Sequence, residues 1–409
     1  MLELNKGQMD AYRNALEWWN SRKRWRTPED RTFEISGGPG TGKTFLINCI
    51  IDALGIDRSR IAPMAYTGAA AINMRSKGMY NATTIYSTLY NCVEEPVLDE
   101  NGKVVYDIYY NKPKTRMKFV EKKEIPDIDL FIIDESGAVP QEMRTVIDRK
   151  GIPVIAAGDL DQLPPITGKS GYLRNPKKIN ILTEIMRQNA DNAIIRLSHI
   201  AKNYGDIRCG WYGNVLVIYE DQLTDDMIAK SQIVICGKND TRDKMTYRIR
   251  KNIIHADMTP DLMNTFPHHG ERIVCRKNNW CIESDGISLT NGLLGNVVSF
   301  PDASSINMKN KTFTIDFKPD LGNVPFYGLE CDLEYFVSNT ARRKEIRGGR
   351  YSTGEKFEYG YCITTHMAQG SEFNNGIYIE EFLRSDINNK LNYVGLTRFK
   401  NFCIYVKKR

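Results

Sequence analysis

The sequence predicts an α/β protein with parallel sheets, and three observations indicate this fold class. Short apolar runs at 130–133 and 154–157 are continuous rather than alternating, as expected of strands that are buried on both faces. Helical stretches lie between several such runs, which indicates crossover connections between parallel strands. A glycine-rich turn at 37–44 joins a predicted strand to a predicted helix, a connection that is common in this class.

The composition is that of an ordinary globular chain, and it excludes several other classes of protein. The 409 residues allow roughly two to four compact units, and 41% of them are hydrophobic and 26% charged. There is no apolar run long enough for a membrane span and no resemblance to a signal peptide, so we expect a cytoplasmic protein. The nine cysteines lack a C-x-x-C pair, which favours reduced thiols over disulfides or a zinc site. The net charge of +6 permits a polyanionic partner but does not require one.

The predicted strands follow one another along the chain, separated by helical segments. A helix is expected within 1–20, and the strand-like runs are 32–36, 61–65, 130–133, 154–157, 233–236, 377–379 and 402–406. Two segments interrupt this pattern and are interpreted as insertions: a polar, aromatic segment at 91–125 and a strand-rich segment at 276–358. The second insertion carries a basic stretch at 342–350, whose role the sequence does not indicate.

The turn at 37–44 matches G-x-x-x-x-G-K-[ST], the phosphate-binding loop of P-loop proteins. Its glycines let backbone N–H groups approach phosphate oxygens, and the N-terminus of the following helix favours negative charge. The Lys43 ammonium can reach the β- and γ-phosphates, and the Thr44 hydroxyl can hold Mg²⁺. The sequence therefore predicts a site for ATP and Mg²⁺, in which the nucleotide-binding residues of the loop are Gly38, Gly40, Thr41, Gly42, Lys43 and Thr44.

Two further strand ends provide groups for phosphate chemistry. The apolar run 130–133 ends in Asp134 and Glu135, of which Asp134 can hold Mg²⁺ and Glu135 can polarise the attacking water. The run 154–157 is followed by a turn at 158–165, in which Gln162 is placed to sense the γ-phosphate. Lys43, Glu135 and Gln162 are therefore predicted to be catalytic.

The order of these motifs resembles that of superfamily 1 helicases, in the 5′-to-3′ branch that contains RecD and the phage Dda helicase, to which the length and layout are similar. The similarity covers nearly the whole chain, and the matching segments are 4–8, 63–71, 82–86, 134–136, 182–188, 291–295, 364–372 and 393–398. Some positions depart from the family pattern. The segment 66–68 replaces Thr-Gly-Arg, Tyr86 replaces a histidine, and 367–368 stand where Lys or Ser is frequent.

The resemblance implies roles for further residues. It implies that Gln8 reads adenine, and that Arg187 and Arg398 reach the γ-phosphate from a second domain and belong to the catalytic set. It also implies cofactor binding by Gly370 and Glu372. Contacts to the tracked strand are expected from Thr67, Thr84, Tyr86, Thr365 and His366. By residue type alone, His366 can also be a base.

The expected architecture is two RecA-like P-loop domains with a β-hairpin insertion and a small SH3-like β-barrel insertion. The first domain is expected at 1–170 with the hairpin at 91–125, the second at 171–275 together with 359–409, and the barrel at 276–358. Asn101-Gly102 between β-prone flanks predicts a hairpin. The resemblance places a duplex-splitting wedge here, and its candidate faces are Leu98, Val104 and Tyr106.

The predicted function is an ATP-dependent helicase that moves 5′ to 3′ on single-stranded DNA and unwinds duplex DNA, with the direction implied by the resemblance alone. Single-stranded and duplex DNA are the expected partners, replication or recombination proteins are further candidates, and a monomer is expected.

Three rival functions stay open. The first is an RNA helicase of the same superfamily, because recognition of the 2′-hydroxyl is not readable from this sequence. The second is a non-catalytic nucleic-acid-binding P-loop module, against which the intact motifs argue. The third is a P-loop kinase or transferase, which needs no second set of arginines.

Overall fold

The computed structural model describes residues 4–106, 113, 115–165, 168–186, 192–255, 266–285, 287–299, 306–307, 311–320, 322, 324–338, 340–348, 354–382 and 385–408. Their strands form two largely parallel sheets, one antiparallel sheet and two separate hairpins. Within these ranges, no helix combines the length and the apolar character that a membrane crossing requires.

The first sheet is built from the N-terminal part of the chain. Its strands and hairpin are β1 (Thr32–Gly37), β2 (Ile61–Ala65), β3 (Thr83–Thr84), β4 (Tyr90–Pro96), β5 (Thr115–Glu121), β6 (Leu130–Asp134), β7 (Val154–Gly158) and β8 (Ile179–Leu182). Six of them are parallel to their neighbours and lie in the order β3-β2-β6-β7-β1-β8. The other two, β4 and β5, form an antiparallel hairpin that leaves the sheet after β3.

Helices cover both faces of the first sheet. They are α1 (Lys6–Asn20), α2 (Lys43–Leu54), α3 (Gly68–Ser76), α4 (Ile85–Leu89) and α5 (Gln141–Arg149). In β6, Leu130 and Ile132 pack into the core that α1 and α2 share, whereas Phe131 and Ile133 pack into the core on the side of α4 and α5. Because successive side chains of a strand point to opposite faces, a strand covered on both sides must be apolar throughout. This is the physical reason for the continuous apolar runs.

The chain then begins a second sheet. This segment supplies α6 (Ala193–Tyr204), β9 (Gly210–Tyr212), β10 (Val215–Tyr219), α7 (Asp225–Ala229), β11 (Val234–Cys236) and α8 (Asn239–Ile249). A π-helical turn, Arg250–Ile254, follows α8 and leads into an insertion.

The insertion forms an antiparallel sheet, called the inserted sheet below. Its elements are β12 (Arg272–Cys275), β13 (Asn279–Ser284), β14 (Ile287–Leu289), β15 (Leu294–Val297), β16 (Ile306–Asn307), β17 (Thr312–Pro319), β18 (Phe326–Asp332), α9 (Leu333–Val337), α10 (Thr340–Gly348) and β19 (Phe357–Tyr359). The strand order is β16-β17-β15-β12-β19 with β18 on β17, while β13 and β14 pair separately. Buried Phe313, Phe317 and Phe357 fill its core. This segment is rich in strands, and its standing as a separate SH3-like barrel stays a prediction.

After the insertion the chain completes the second sheet. It supplies β20 (Cys362–Thr364), β21 (Phe373–Ile379), α11 (Ser385–Leu396) and β22 (Phe399–Lys407). The order is β20-β11-β21-β22-β10-β9, and the strands are parallel except for β9. Two α/β units are therefore present, and the inserted sheet interrupts the second.

The predicted boundaries at 170 and at 276–358 are wrong. Ile179 of β8 pairs with Glu34 of β1, so the first sheet continues well beyond residue 170. Ile273 of β12 pairs with Tyr359 of β19, so the inserted sheet extends beyond 276–358 at both ends. These short strands belong to a sheet because of a partner far away in the sequence, and a local pattern does not show that partner.

A close packing contact explains the glycine at position 395, in the segment 393–398. A Cβ built on Gly395 would lie 2.0 Å from Cε2 of Tyr378. The Tyr378 ring is fully buried, and its hydroxyl donates to Oδ1 of Asn392 at 3.0 Å. The tyrosine therefore occupies the space that an alanine side chain would need.

We predict that Gly395→Ala lowers the free energy of unfolding by about 1–3 kcal/mol, the usual range for overpacking a core. Urea denaturation measures this change. The matched control is Gly7→Ala in α1, where the nearest atom to an added Cβ is Oδ1 of Asn5 at 3.8 Å. The control is expected to be neutral or slightly stabilising, since alanine favours a helix. Equal stability of Gly395→Ala and the parent protein would contradict the packing argument.

Candidate active site

The glycine-rich turn joins β1 to α2 at the carboxyl edge of the first sheet. Gly40 and Gly42 have φ values of 78° and 77°, a left-handed backbone that glycine adopts without steric cost. The Lys43 ammonium donates to the carbonyl oxygens of Gly37 at 2.7 Å and Gly38 at 3.3 Å. The N–H groups at the start of α2 and the Lys43 charge therefore lie at one place, which is suited to an anion.

Gln8 packs directly against this turn. Its side-chain Nε2 donates to the Thr41 carbonyl at 2.9 Å, and its Oε1 accepts from the Asn5 N–H at 3.0 Å. A Cβ built on Gly42 would lie 2.4 Å from Gln8 Nε2, so only glycine fits between them. Gln8 thus supports the turn in this structure, and its recognition of adenine stays a prediction.

The segment that carries the first predicted arginine also reaches the turn. The N–H of Met186 donates to the carbonyl of Gly40 at 2.9 Å. Arg187 follows directly but lies outside the described residues, so its predicted role at the γ-phosphate stays a prediction. Met186 itself was missed, because a methionine before the motif arginine carries no chemical signal.

Asp134 and Glu135 lie at the end of β6, two strands away from the turn. Glu135 has a φ of 52°, a left-handed backbone that costs a non-glycine residue on the order of 1–3 kcal/mol. Burial, and then the negative charge of Glu135, raise the pKa of Asp134 above its ordinary value, whereas the charge of Lys43 opposes this. A site that penalises a lone carboxylate in this way fits a divalent cation, because the ion would compensate both acids.

Asp159 is a site residue that the sequence did not single out. It is buried at the end of β7, and its Oδ2 accepts a hydrogen bond from the Tyr393 hydroxyl at 2.6 Å. Burial raises the pKa of Asp159, and the charge of Lys43 opposes the shift. The predicted sensor Gln162 is partly exposed, and its N–H lies 3.3 Å from the Asp159 carbonyl. Asp159 and Tyr393 each lie in a recognised motif, but their hydrogen bond between the two units is not visible in the sequence.

Arg398 approaches the acids from the second sheet. Its Nη1 lies 3.9 Å from Oε1 of Glu135, and its Nε donates to the Val394 carbonyl at 3.1 Å. Its Nη1 also contacts the Ser371 carbonyl at 3.4 Å, so the buried guanidinium is held by its own unit. The structure therefore brings together Lys43, the two acids and Arg398, four of the predicted site residues.

Gly370 and Glu372 form a contact between the two units. A Cβ on Gly370 would lie 2.6 Å from Cβ of Ala70 in α3. Glu372 pairs with Lys77 at 2.6 Å and with Lys400 at 2.7 Å. Burial raises the pKa of Glu372, but the two ammonium groups outweigh it and hold the pKa at about 2. The contacts of Glu372 thus join α3 to β22, and its predicted cofactor binding stays a prediction.

The threonines expected to contact a strand have their hydroxyls in structural bonds. Thr67 caps α3 by accepting from the Ala70 N–H at 3.3 Å, and Thr84 caps α4 by accepting from the Ser87 N–H at 3.1 Å. Thr365 is fully buried, and its hydroxyl donates to the Cys236 carbonyl at 3.1 Å. The predicted phosphate contact through the Thr365 hydroxyl is therefore wrong for this structure, since that hydroxyl is buried and anchors the segment 364–372 to β11.

Two other expected strand contacts are more accessible. Tyr86 is partly exposed and stacks on Tyr90 with ring centroids 5.5 Å apart. His366 is partly exposed, and burial lowers its pKa below the ordinary value, which leaves the ring neutral at pH 7. A neutral ring favours hydrogen bonding over charge pairing, and the contact of each residue with a strand stays a prediction.

The hairpin of β4 and β5 carries apolar side chains beside a polar turn at 99–103. The Asp99 N–H donates to the Lys103 carbonyl at 2.8 Å, and Gly102 takes a φ of 76° in the turn. Leu98 pairs with Val104 across the hairpin. Leu98 is 54% and Tyr106 51% exposed, so both can meet a partner without rearrangement.

Comparisons with known proteins agree with this geometry. The family model of an AAA domain matches residues 26–168. The chain is 23% identical over 425 residues to the RecBCD enzyme subunit RecD of Buchnera aphidicola, with 89% of this chain and 68% of that protein covered. It is 23% identical over 397 residues to the ATP-dependent RecD2 DNA helicase of Deinococcus radiodurans, with 91% of this chain and 46% of that protein covered.

Solved structures with a similar fold are Pif1 helicases. A structure of two coordinating Pif1 helicases at forked double-stranded DNA has a TM-score of 0.56 at 19% identity, with 99% of this chain and 92% of that chain covered. Bacteroides Pif1 bound to single-stranded DNA has a TM-score of 0.54 at 17% identity, with the same coverage of 99% and 92%.

The fold and the site define a P-loop ATPase with two α/β units around one phosphate-binding edge. Within that class, the similarity to RecD and to the RecD2 DNA helicase supports an ATP-dependent DNA helicase, and the Pif1 structures show a similar fold. The likeness in layout to the phage Dda helicase stays a prediction. The chain spans only 46% of RecD2, so the partners of the relatives can only be proposed for this chain.

We predict that Glu372→Gln lowers the free energy of unfolding at pH 7 by about 1–2 kcal/mol, because two ammonium groups lose their carboxylate. The folded pKa of about 2 lies below the unfolded value of about 4.3. The contribution of Glu372 is therefore present above pH ~4.3 and is lost as the pH falls towards 2. Urea denaturation at several pH values measures the difference between variant and parent.

The control is Glu345→Gln, whose side chain is 66% exposed and pairs with Arg342 on the surface. This change is expected to alter stability by less than about 0.5 kcal/mol at any pH. A difference between Glu372→Gln and the parent that does not shrink in acid would contradict the ion-pair explanation.

Proposed function

We propose that the chain is an ATP-driven translocase that moves 5′ to 3′ along single-stranded DNA and unwinds the duplex ahead of it. The observation that carries this proposal is the approach of Arg398, from the second sheet, to within 3.9 Å of Glu135 in the first. An arginine that completes the site from another unit makes turnover depend on the distance between the units. Such a dependence is what a stepping motor needs.

The two sheets would be the two RecA-like motor domains. The first would comprise the N-terminal residues up to β8, and the second would comprise α6 to α8 together with β20 to β22. The inserted sheet would be the SH3-like barrel. The exposed Leu98 and Tyr106, which flank the turn of the β4/β5 hairpin, support its proposed role as the wedge.

ATP with Mg²⁺ would supply the phosphoryl group whose transfer to water drives the cycle. The loop amides and Lys43 would bind the phosphates, and Thr44 and Asp134 would hold the ion. Glu135 would orient the attacking water and accept its proton at the carboxylate. Arg398, and Arg187 by resemblance, would donate to the charge that develops on the γ-phosphoryl oxygens.

The proposed path of the strand crosses the carboxyl edges of both sheets. Tyr86 offers a face for base stacking, and His366 offers a neutral hydrogen-bonding ring. The relatives support DNA as the substrate, since the similar structures are of Pif1 on single-stranded and on forked double-stranded DNA. RNA is the rival substrate, and assembly with replication or recombination proteins is a further proposal.

The experiment is an unwinding and ATPase assay of the purified chain on three substrates: a duplex with a 5′ DNA overhang, one with a 3′ DNA overhang, and one with a 5′ RNA overhang. We predict ATP hydrolysis stimulated by single-stranded DNA, and strand separation only with the 5′ DNA overhang. Glu135→Gln is the control, and its turnover is expected to fall by on the order of 10² or more, as for loss of a general base.

Efficient opening from the 3′ overhang would overturn the direction, and a preference for the RNA overhang would overturn the substrate. Hydrolysis without any stimulation by nucleic acid would favour a P-loop kinase or transferase. Binding of DNA without hydrolysis would favour a non-catalytic module.

For the hairpin, we predict that the double variant Leu98→Ser with Tyr106→Ser lowers the unwinding rate by about tenfold or more, since stacking on an aromatic face contributes roughly 1–3 kcal/mol per base. ATP hydrolysis stimulated by single-stranded DNA should be retained, because the hairpin tip lies outside the nucleotide site.

A surface control for this variant is Tyr204→Ser, since Tyr204 is 80% exposed at the end of α6. It is expected to unwind at the parent rate. If the hairpin variant opens as many base pairs per ATP as the parent, the hairpin is not the separating element.

A further inference from the structure

A buried carboxylate stands at the centre of three arginines. Glu358 on β19 lies 3.1 Å from Nε of Arg276, 3.2 Å from Nη1 of Arg242 and 3.7 Å from Nη1 of Arg343. It also accepts a hydrogen bond from the Tyr335 hydroxyl at 2.8 Å. We call these five residues the Glu358 cluster.

The members of the Glu358 cluster come from separate elements. Arg242 belongs to α8, which packs on the second sheet, whereas Tyr335 lies on α9, Arg343 on α10 and Arg276 after β12. One carboxylate therefore joins the inserted sheet to the helix of another unit. Asp243, next to Arg242, extends this junction by accepting from the Thr340 hydroxyl at 2.6 Å.

The cluster also reaches the motif between β20 and β21. Nη1 of Arg276 contacts Sδ of Met367, the neighbour of the proposed strand contact His366. Thr365 attaches the same motif to the second sheet, because its N–H and its hydroxyl both donate to the Cys236 carbonyl at the end of β11. Arg276 is thus a direct bridge from the inserted sheet to the segment beside the proposed DNA path.

Three neighbouring positive charges keep the Glu358 carboxylate ionised and in place. Burial by itself raises the pKa of Glu358, but the charges of Arg276, Arg343 and Arg242 outweigh it and hold the pKa at about 2. Removing one partner of a buried charged group leaves the others uncompensated and is strongly unfavourable. Small displacements of the inserted sheet against α8 are therefore resisted, and Arg276 keeps its place over Met367.

We propose that Glu358 is a positioning residue that fixes the inserted sheet against α8 and the segment 364–372. It thereby couples binding of the DNA strand to ATP hydrolysis at the nucleotide site. The coupling role rests on the proposed function. The mechanical role does not, because it concerns only which parts of the chain Glu358 holds together.

The first test measures hydrogen exchange of the full chain without nucleotide or DNA, in the parent and in Glu358→Gln. The glutamine keeps the shape of the side chain and removes its charge. We expect faster exchange in three places: the inserted sheet, α8 and the segment 364–372. Glu334→Gln is the matched control, since Glu334 pairs with Arg342 and Lys311 within the inserted sheet alone. Changes confined to the inserted sheet in Glu358→Gln, as in the control, would overturn the proposal.

The second test measures base pairs opened per ATP, well below the unfolding temperature of each variant. We expect Glu358→Gln to lower this ratio by about fivefold or more, as for loss of an ordinary coupling between sites, with the DNA-independent ATPase unchanged. Where Glu358→Gln does not fold, Arg276→Lys serves both tests, because it keeps the positive charge and loses the planar fork that spans Glu358 and Met367.

The two proposals fail in different ways. An inactive parent protein would refute the proposed function, and the exchange data would still decide the mechanical role of Glu358. An active parent with the same ratio as Glu358→Gln would refute the coupling role alone.

Discussion

The molecule depends on one contact, the approach of the segment 393–398 to the acidic strand ends of the first sheet. Tyr393 donates to Asp159 at 2.6 Å, and Arg398 lies 3.9 Å from Glu135. Where the two units meet, these groups are withdrawn from water, and an unpaired charge there is costly. The site therefore depends on groups from both units, and a change in charge at this edge is expected to weaken the contact between them.

Each of the two α/β units carries one insertion. The hairpin leaves the first sheet after β3, and the inserted sheet leaves the second between α8 and β20. The inserted sheet also touches the first unit, since a Cβ on Gly68 would lie 1.9 Å from Oγ1 of Thr290. The Glu358 cluster joins the inserted sheet to α8, so the inserted sheet contacts both units.

Several parts of the site were predictable because their chemistry is local. The turn at 37–44 is one continuous string, in which glycine conformations, helix start and lysine are set by neighbouring residues. Asp134 and Glu135 directly follow an apolar run, so a strand end and its acids are read together. The hydroxyl of Thr365 was misjudged, because it is fully buried and donates to a backbone carbonyl, whereas the strand contacts of Thr67 and Thr84 stay predictions.

The sequence alone determined the fold class, the phosphate-binding turn and the acids, because each is encoded in short local patterns of residues. Only the tertiary structure decided the limits of the sheets and the pairs that join them. Tyr393 and Asp159 are 234 residues apart, and Arg242 and Glu358 belong to different units. Such pairs depend on strand order and on desolvation in the folded chain, and neither of these is a property of a short stretch of sequence.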